Sequence, residues 1–159
     1  MSTSVAGSSI PPQEPIAFRT VRPTELGVEY WERTAQGELP LRVCSDCGQA
    51  RIYLTSVCPQ CHGRDSTWTT SAGEGTVFVS TVVRYRLSPE FPDSYVFALI
   101  DLDEGVRMMA NVLQDGEPEL VPIGSRVRLT FEELPSGQHL PQFVLADSAN
   151  SRRPGRRDH

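Results

Sequence analysis

The sequence predicts a mainly β protein: one N-terminal helix, a small four-cysteine ribbon, and then a five-stranded antiparallel barrel. Three observations carry this. All four cysteines fall between Cys44 and Cys61, in two C-x-x-C knuckles, C-S-D-C and C-P-Q-C. From Thr76 to Asp147 apolar and polar residues alternate with period two through strand after strand. Ahead of the knuckles, between Thr24 and Gln36, one segment shows helical spacing instead.

With 159 residues the chain has room for one globular domain of about 100 residues and a smaller module. No apolar run is long enough for a membrane span, and the Ser-, Thr- and Pro-rich first twenty residues lack the apolar core of a signal peptide. The expected location is the cytoplasm, where thiols stay reduced. A net charge of -5 and a pI of about 5.2 argue against the broad electropositive surface of a nucleic-acid binder. All 15 basic residues are arginine, which reads as compositional bias.

Residues 1–23 carry no sustained periodicity and are expected to be disordered. An amphipathic helix is expected over residues 24–38: Leu26, Tyr30, Trp31 and Ala35 recur at helical spacing, Pro23 precedes them and Gly37 is placed as the stop. It can pack on its own domain or dock on a partner. Because the next module is expected to be held by metal and not by a core, the docking of Leu26, Tyr30 and Trp31 onto a partner is the sharper expectation.

Residues 39–68 are expected to form the ribbon. Two residues between thiolates let one tight turn aim both sulfurs at a shared centre, with turn chemistry from Gly48 and Pro59. Leu39 to Val43 and a short hairpin, Arg51 to Leu54, bring the knuckles together. Cys44, Cys47, Cys58 and Cys61 are thus the expected metal ligands. A disulfide pair, a redox C-x-x-C and a rubredoxin-type iron site are the rival readings, and zinc is the default metal. Four thiolates fill the coordination sphere, so the metal is expected to be structural. His62, directly after Cys61, is read as a solvent-facing loop residue.

Residues 69–147 hold the barrel. Val77, Val79, Thr81, Val83 and Tyr85 are expected on one face of its first strand, and Val96, Ala98, Ile100 and Leu102 on one face of the second. The turn Asp103-Glu104-Gly105 joins that strand to Val106 to Leu113, with Val106, Met108, Ala110 and Val112 inward. Pro118, Pro122 and Gly124 interrupt the chain before Arg126 to Phe131, where Val127, Leu129 and Phe131 alternate with polar residues, and a last strand is expected at about Gln142 to Ala146. Five such strands without room for a long crossover helix suit a barrel of the OB type. Residues 148–159, a basic stretch, are expected to be disordered.

Tyr30-Trp31-Glu32, C-S-D-C-G, V-C-P-Q-C, G-E-G-T-V (73–77), A-L-I-D-L-D-E-G-V-R (98–107), I-G-S-R-V (123–127) and L-P-Q-F (140–143) occur in this order. Together they resemble the DUF35 family across residues 24–146. The resemblance implies a helical segment, a rubredoxin-like zinc ribbon and an OB-fold. It also implies a non-catalytic partner of acyl-CoA enzymes: thiolases, thiolase-like lipid-transfer aldolases including those that shorten steroid side chains, or MaoC-type hydratases. The family's metal ligands carry over onto Cys44, Cys47, Cys58 and Cys61, and no catalytic residue does.

The chain itself points the same way. No serine sits in a G-x-S-x-G elbow, no Gly-rich phosphate loop is present, and Asp101, Asp103 and Glu104 read as a solvated turn. The expectation is a hetero-oligomeric accessory subunit, inactive alone, that helps bind or channel an acyl-CoA. Arg51, Tyr53, Arg84, Tyr85 and Arg86 are its candidate acyl-CoA contacts by residue type. The alternative is a single-stranded nucleic-acid binder, a role that ribbons and OB-folds serve elsewhere and that the acidic balance opposes.

Overall fold

The computed structural model describes residues 23–52, 55–86, 92–134 and 137–146. The expectations for residues 1–22 and 148–159, and for Tyr53 and Leu54, lie outside them. A 3-10 turn, Glu25–Gly27, leads into helix α1, Val28–Thr34. β1 (Pro40–Cys44), β2 (Ala50–Arg51) and β3 (Ser66–Thr70) form a three-stranded ribbon sheet in the order β2-β1-β3. β4 (Glu74–Val83), β5 (Tyr95–Leu102), β6 (Arg107–Leu113), β7 (Arg126–Glu133) and β8 (His139–Leu145) close a barrel in the order β4-β5-β6-β8-β7. This is the expected OB-type topology, antiparallel except where β8 runs parallel to β6. No helix among the described residues is long and apolar enough to cross a membrane.

The helix is shorter than its pattern suggests. Gly37 stops it as expected: at φ 80° it takes the left-handed conformation of a glycine cap, its N–H donating to Thr34 O at 2.9 Å while Glu38 N–H donates to Arg33 O at 3.1 Å. Helix α1 lies against β1 and β8. Tyr30 is 9% exposed and belongs to the main core, and Trp31 packs beside it with ring centroids 5.3 Å apart. The expected docking of Leu26, Tyr30 and Trp31 onto a partner is therefore corrected for Tyr30, which its own chain covers; Trp31 is half-buried against the same core and Leu26 stays 46% exposed. The premise behind it also changes. Leu39, Leu41 and Ile52 of the ribbon join Val77, Ile100, Val127 and Phe143 of the barrel in one hydrophobic cluster, so the ribbon shares a core and does not rest on metal alone.

β5 and β6 follow their alternation. Val96, Ala98, Ile100 and Leu102 point inward opposite Met108, Ala110 and Val112, with Val106 buried just before β6. β4 does not. Its register runs Val77↔Ile100 and then Val79↔Leu99, so Phe78 is the extra residue of a bulge. One added residue reverses the parity of everything after it. Ser80 and Val82, aligned with Ala98 and Val96, become the inward pair, and Ser80 Oγ donates to Val121 O at 2.7 Å. Val79, Thr81 and Val83, expected inside, lie on the other face, and Tyr85 is past the strand's end at 67% exposed. Outside the barrel, Val79, Leu99 and Met109 form a row across three strands, with Phe78 beside it under the Arg107 guanidinium at 3.4 Å.

Gln142, 2% exposed, sits where β8 enters between its neighbours. Its Oε1 accepts from Asn111 N–H at 3.0 Å and its Nε2 donates to Glu132 Oε2 at 3.2 Å, which joins β6, β8 and β7. Glu104 is not the solvated turn residue expected of a hairpin tip. Its Oε1 accepts from Ser71 Oγ at 2.9 Å and from Ala72 N–H at 2.6 Å, tying the β5–β6 turn to the link between ribbon and barrel.

Candidate metal centre

The two knuckles are built alike. Cys44 N–H donates to Gln49 O (3.0 Å) and Gly48 N–H to Cys44 O (2.9 Å); Cys58 N–H donates to Gly63 O (2.8 Å) and His62 N–H to Cys58 O (2.9 Å). The residue four beyond the first cysteine of each turn must take a left-handed conformation. Gly48 does so at φ 74° without steric cost, and His62 does so at φ 61° as the one non-glycine residue with positive φ among those described. His62 is thereby a turn residue, exposed as expected and outside the ligand set. A Cβ on Gly63 would displace the exposed Asp46 carboxylate and sit 3.3 Å from Cys61 Sγ, so the second knuckle is tight at this position.

The four sulfurs lie within 4.8 Å of one another, with Cys44 to Cys61 at 3.6 Å and Cys47 to Cys58 at 3.7 Å. A tetrahedral shell with metal–sulfur bonds of about 2.3 Å needs sulfur separations of about 3.8 Å. The donors therefore fit a four-thiolate metal site. Backbone amides lower two of the four thiols, the Cys61 N–H holding Cys58 down to about 6 and the Cys47 and Asp46 amides lowering Cys44, whereas at Cys47 and Cys61 the Gln49 and Gly63 amides are outweighed by the neighbouring thiols and burial, which raise both. Cys44 and Cys58 are buried, while Cys47 and Cys61 reach the surface. Knuckles pinned by their own backbone, with all four sulfurs gathered at ligand spacing, fit a shared metal better than a disulfide pair or a single redox C-x-x-C.

The remaining candidates are dispersed. Arg51 is buried on β2, Tyr53 lies outside the described residues, and Arg84, Tyr85 and Arg86 follow the end of β4, exposed, with Arg86 Nε 2.9 Å from Asp93 Oδ1. Among the described residues no hydrogen bond or ion pair joins Arg51 to the other three. The carboxylates of the β5–β6 hairpin are engaged: Arg107 pairs with Asp101 at 2.6 and 2.8 Å, and Arg126 with Asp103 at 2.7 and 2.8 Å. These hydrogen bonds hold both carboxyls below their usual range, which leaves them ionised near neutral pH and unsuited to proton transfer there.

Sequence reasoning passed over one cluster. On the ribbon face that carries Arg51, register places Arg42 between Arg51 of β2 and Trp68 of β3. The Arg42 and Arg33 guanidinium carbons stand 5.1 and 5.7 Å from the Trp68 ring centroid. Once β3 is known to be a strand, period-two parity alone finds this row.

Comparison with known proteins follows the same division. Residues 31–67 match the ChsH2 rubredoxin-like zinc ribbon domain, and residues 68–132 match the ChsH2 C-terminal OB-fold domain. A solved chain described as Ltp2-ChsH2(DUF35) aldolase superposes with a TM-score of 0.71 at 30% identity, covering 79% of this chain and 99% of that one. A DUF35-family structure of unknown function from Sulfolobus solfataricus shares the fold at 15% identity, with a TM-score of 0.57 over 80% of this chain and 90% of that one. A probable enoyl-CoA hydratase alpha subunit of Thermomonospora curvata is 30% identical over 82% of this chain, and a 3-oxo-4,17-pregnadiene-20-carboxyl-CoA hydratase alpha subunit of Mycobacterium tuberculosis is 31% identical over 67%. The chain spans only 41% and 33% of those two proteins. A DUF35 domain-containing scaffold protein of Methanocaldococcus jannaschii is 30% identical over 57% of this chain and 65% of its own length. With its four-cysteine site, its closed barrel and its match to both ChsH2 domains, the chain belongs to the DUF35 family.

Proposed function

We propose that this chain is a non-catalytic accessory subunit that binds a thiolase-fold acyl-CoA enzyme, a thiolase or a lipid-transfer-type aldolase, and helps hold or channel its acyl-CoA. The observation that carries the reading is the subunit-length match: the chain follows 99% of a chain described as Ltp2-ChsH2(DUF35) aldolase. Engagement of Asp101 and Asp103 by arginine supports a role outside the chemistry. With Tyr30 turned inward, the outward row of Val79, Leu99 and Met109, flanked by Phe78, is the surface we assign to partner contact. Phe78 is 45% and Met109 52% exposed. The ribbon's metal is zinc in this reading, held by Cys44, Cys47, Cys58 and Cys61 for structure, and a reduced four-thiolate site fits the cytoplasm. Acyl-CoA contacts fall by residue type to Arg51, Tyr53, Arg84, Tyr85 and Arg86.

The matches to two hydratase alpha subunits favour a second reading, in which the partner is a hydratase. The substrate in the name of the Mycobacterium tuberculosis relative supports a steroid-derived acyl-CoA in either case. Affinity purification from the native host with mass spectrometry should recover a thiolase-fold or hydratase protein. The purified pair should act on acyl-CoA thioesters while the lone chain is inert. Turnover by the contaminant-free chain, or a nucleic acid as the retained partner, would overturn the proposal.

A further inference from the structure

Arg51 is 7% exposed, and its Nε and Nη1 have no hydrogen-bond partner. A guanidinium taken out of water without an acceptor is among the least favourable groups a fold can hold, since it cannot shed its proton to escape the penalty. A second donor adjoins it. Arg42 is the direct cross-strand neighbour of Arg51, so both side chains leave the same face of the sheet from adjacent positions. The Arg42 guanidinium bonds Ser66 Oγ through Nη2 and lies over Trp68, while its Nε is buried and unpartnered. On the helix side Glu29 and Glu38 both bond Arg33, at 3.0 and 3.4 Å, and Glu29 also feels the Arg42 charge without bonding it.

We propose that the Arg42–Arg51 face of the ribbon is an oxyanion-binding site for a phosphoryl group. The unpartnered donors come from three nitrogens on two fixed-charge side chains. A phosphoryl group, with acceptors directed to several sides, engages such a set more completely than a carboxylate, whose two oxygens share one plane. The strand pairing of β1 and β2 holds the two arginines side by side and Trp68 stacks on Arg42, while the unpartnered nitrogens themselves are enclosed, so an anion reaches them only when the side chains over them shift. The site deepens the acyl-CoA reading, on which only the identity of the natural phosphoryl donor rests.

The lone full-length, metal-loaded chain tests it, so failure would leave the accessory-subunit reading standing. In chloride buffer, Arg51→Met should melt higher than the wild type, because it removes a buried unpaired charge while keeping a long side chain. Adding inorganic phosphate to about 20 mM should raise the wild-type Tm by about 4 °C, the response of a millimolar site, and should leave Arg51→Met unmoved. Arg42→Gln, which retains Arg51, should respond with a reduced shift. Acetate at equal ionic strength separates the two oxyanions. A phosphate shift absent from the wild type, equal in Arg51→Met, or matched by acetate overturns the site.

Discussion

Replacing Tyr30 by alanine should cost the fold itself and not merely an interface. An aromatic side chain of this kind buries about 150 to 250 Å², which at about 25 cal/mol per Å² gives roughly 4 to 6 kcal/mol. A compact unfolded state trims that to about 3 to 5 kcal/mol, the range of aromatic-to-alanine changes in cores. For a domain of this size the loss lowers Tm by about 10 to 20 °C. The phenol supplies an independent signature. Burial raises its pKa from 10.0 to about 12. Since the folded value lies above the unfolded one, the fold favours the neutral phenol. That contribution is complete below pH 10 and is lost as pH rises through 12, by about 2 to 3 kcal/mol. Tyr30→Phe keeps the ring and should melt near the wild type at pH 8 while losing this alkaline component. Melting curves by circular dichroism at pH 8 and pH 11 provide the assay. If Tyr30→Ala melts within about 2 °C of wild type yet fails to retain the partner, the helix faces outward and the packing argument is wrong.

Cys58→Ser should release the metal, whose coordination can contribute on the order of 10 kcal/mol, and should destabilise the barrel as well as the ribbon because Leu41 and Ile52 belong to the common core. Elemental analysis finding less than about half an ion per chain in well-folded wild type would contradict a four-thiolate site. Glu104→Ala removes the acceptor of Ser71 Oγ and Ala72 N–H and should lower unfolding free energy in urea by about 2 to 3 kcal/mol; an unchanged midpoint would mean the junction is held by other contacts. His62→Gly should stabilise the metal-loaded protein by about 1 kcal/mol by relieving its left-handed backbone, with the opposite sign for Gly48→Ala. A loss of stability in His62→Gly would show that the imidazole does more than fill a turn.

The metal knuckles and the β5–β6 hairpin were legible in the sequence because one local rule decides each of them. Knuckle spacing fixes where four sulfurs can meet, and alternation fixes β5 and β6 because both strands present one face to a single core. Local rules fail where a neighbour decides. Phe78 is apolar like its flanks, so nothing in V-F-V marks it as the bulged residue; only pairing with Ile100 and Leu99 does. β3 reads S-T-W-T-T, without an apolar stripe, and exists because it pairs along the whole of β1. Pro141 hides the start of β8, since a proline inside a strand argues locally against one, yet it lies opposite Phe131 in the ladder. The burial of Tyr30 was invisible for a related reason: its helix rests not only on β1 but on β8, more than a hundred positions later.

That last strand has a consequence for how the protein is made. β8 bonds to β6 on one side and to β7 on the other, and the helix nearest the start of the described chain rests on it. During synthesis the knuckles emerge early and can load their metal while the barrel is still an open meander. Until residues 139–145 leave the ribosome, β6 and β7 carry unpaired edges, and Tyr30, Leu39 and Leu41 have no Phe143 to pack with. A stalled or truncated product would therefore present sticky strand edges and a bare aromatic face, the features that chaperones and proteases act on. Pairing of β8 with β6 and β7 thus closes the barrel and completes the support of helix α1 in one step.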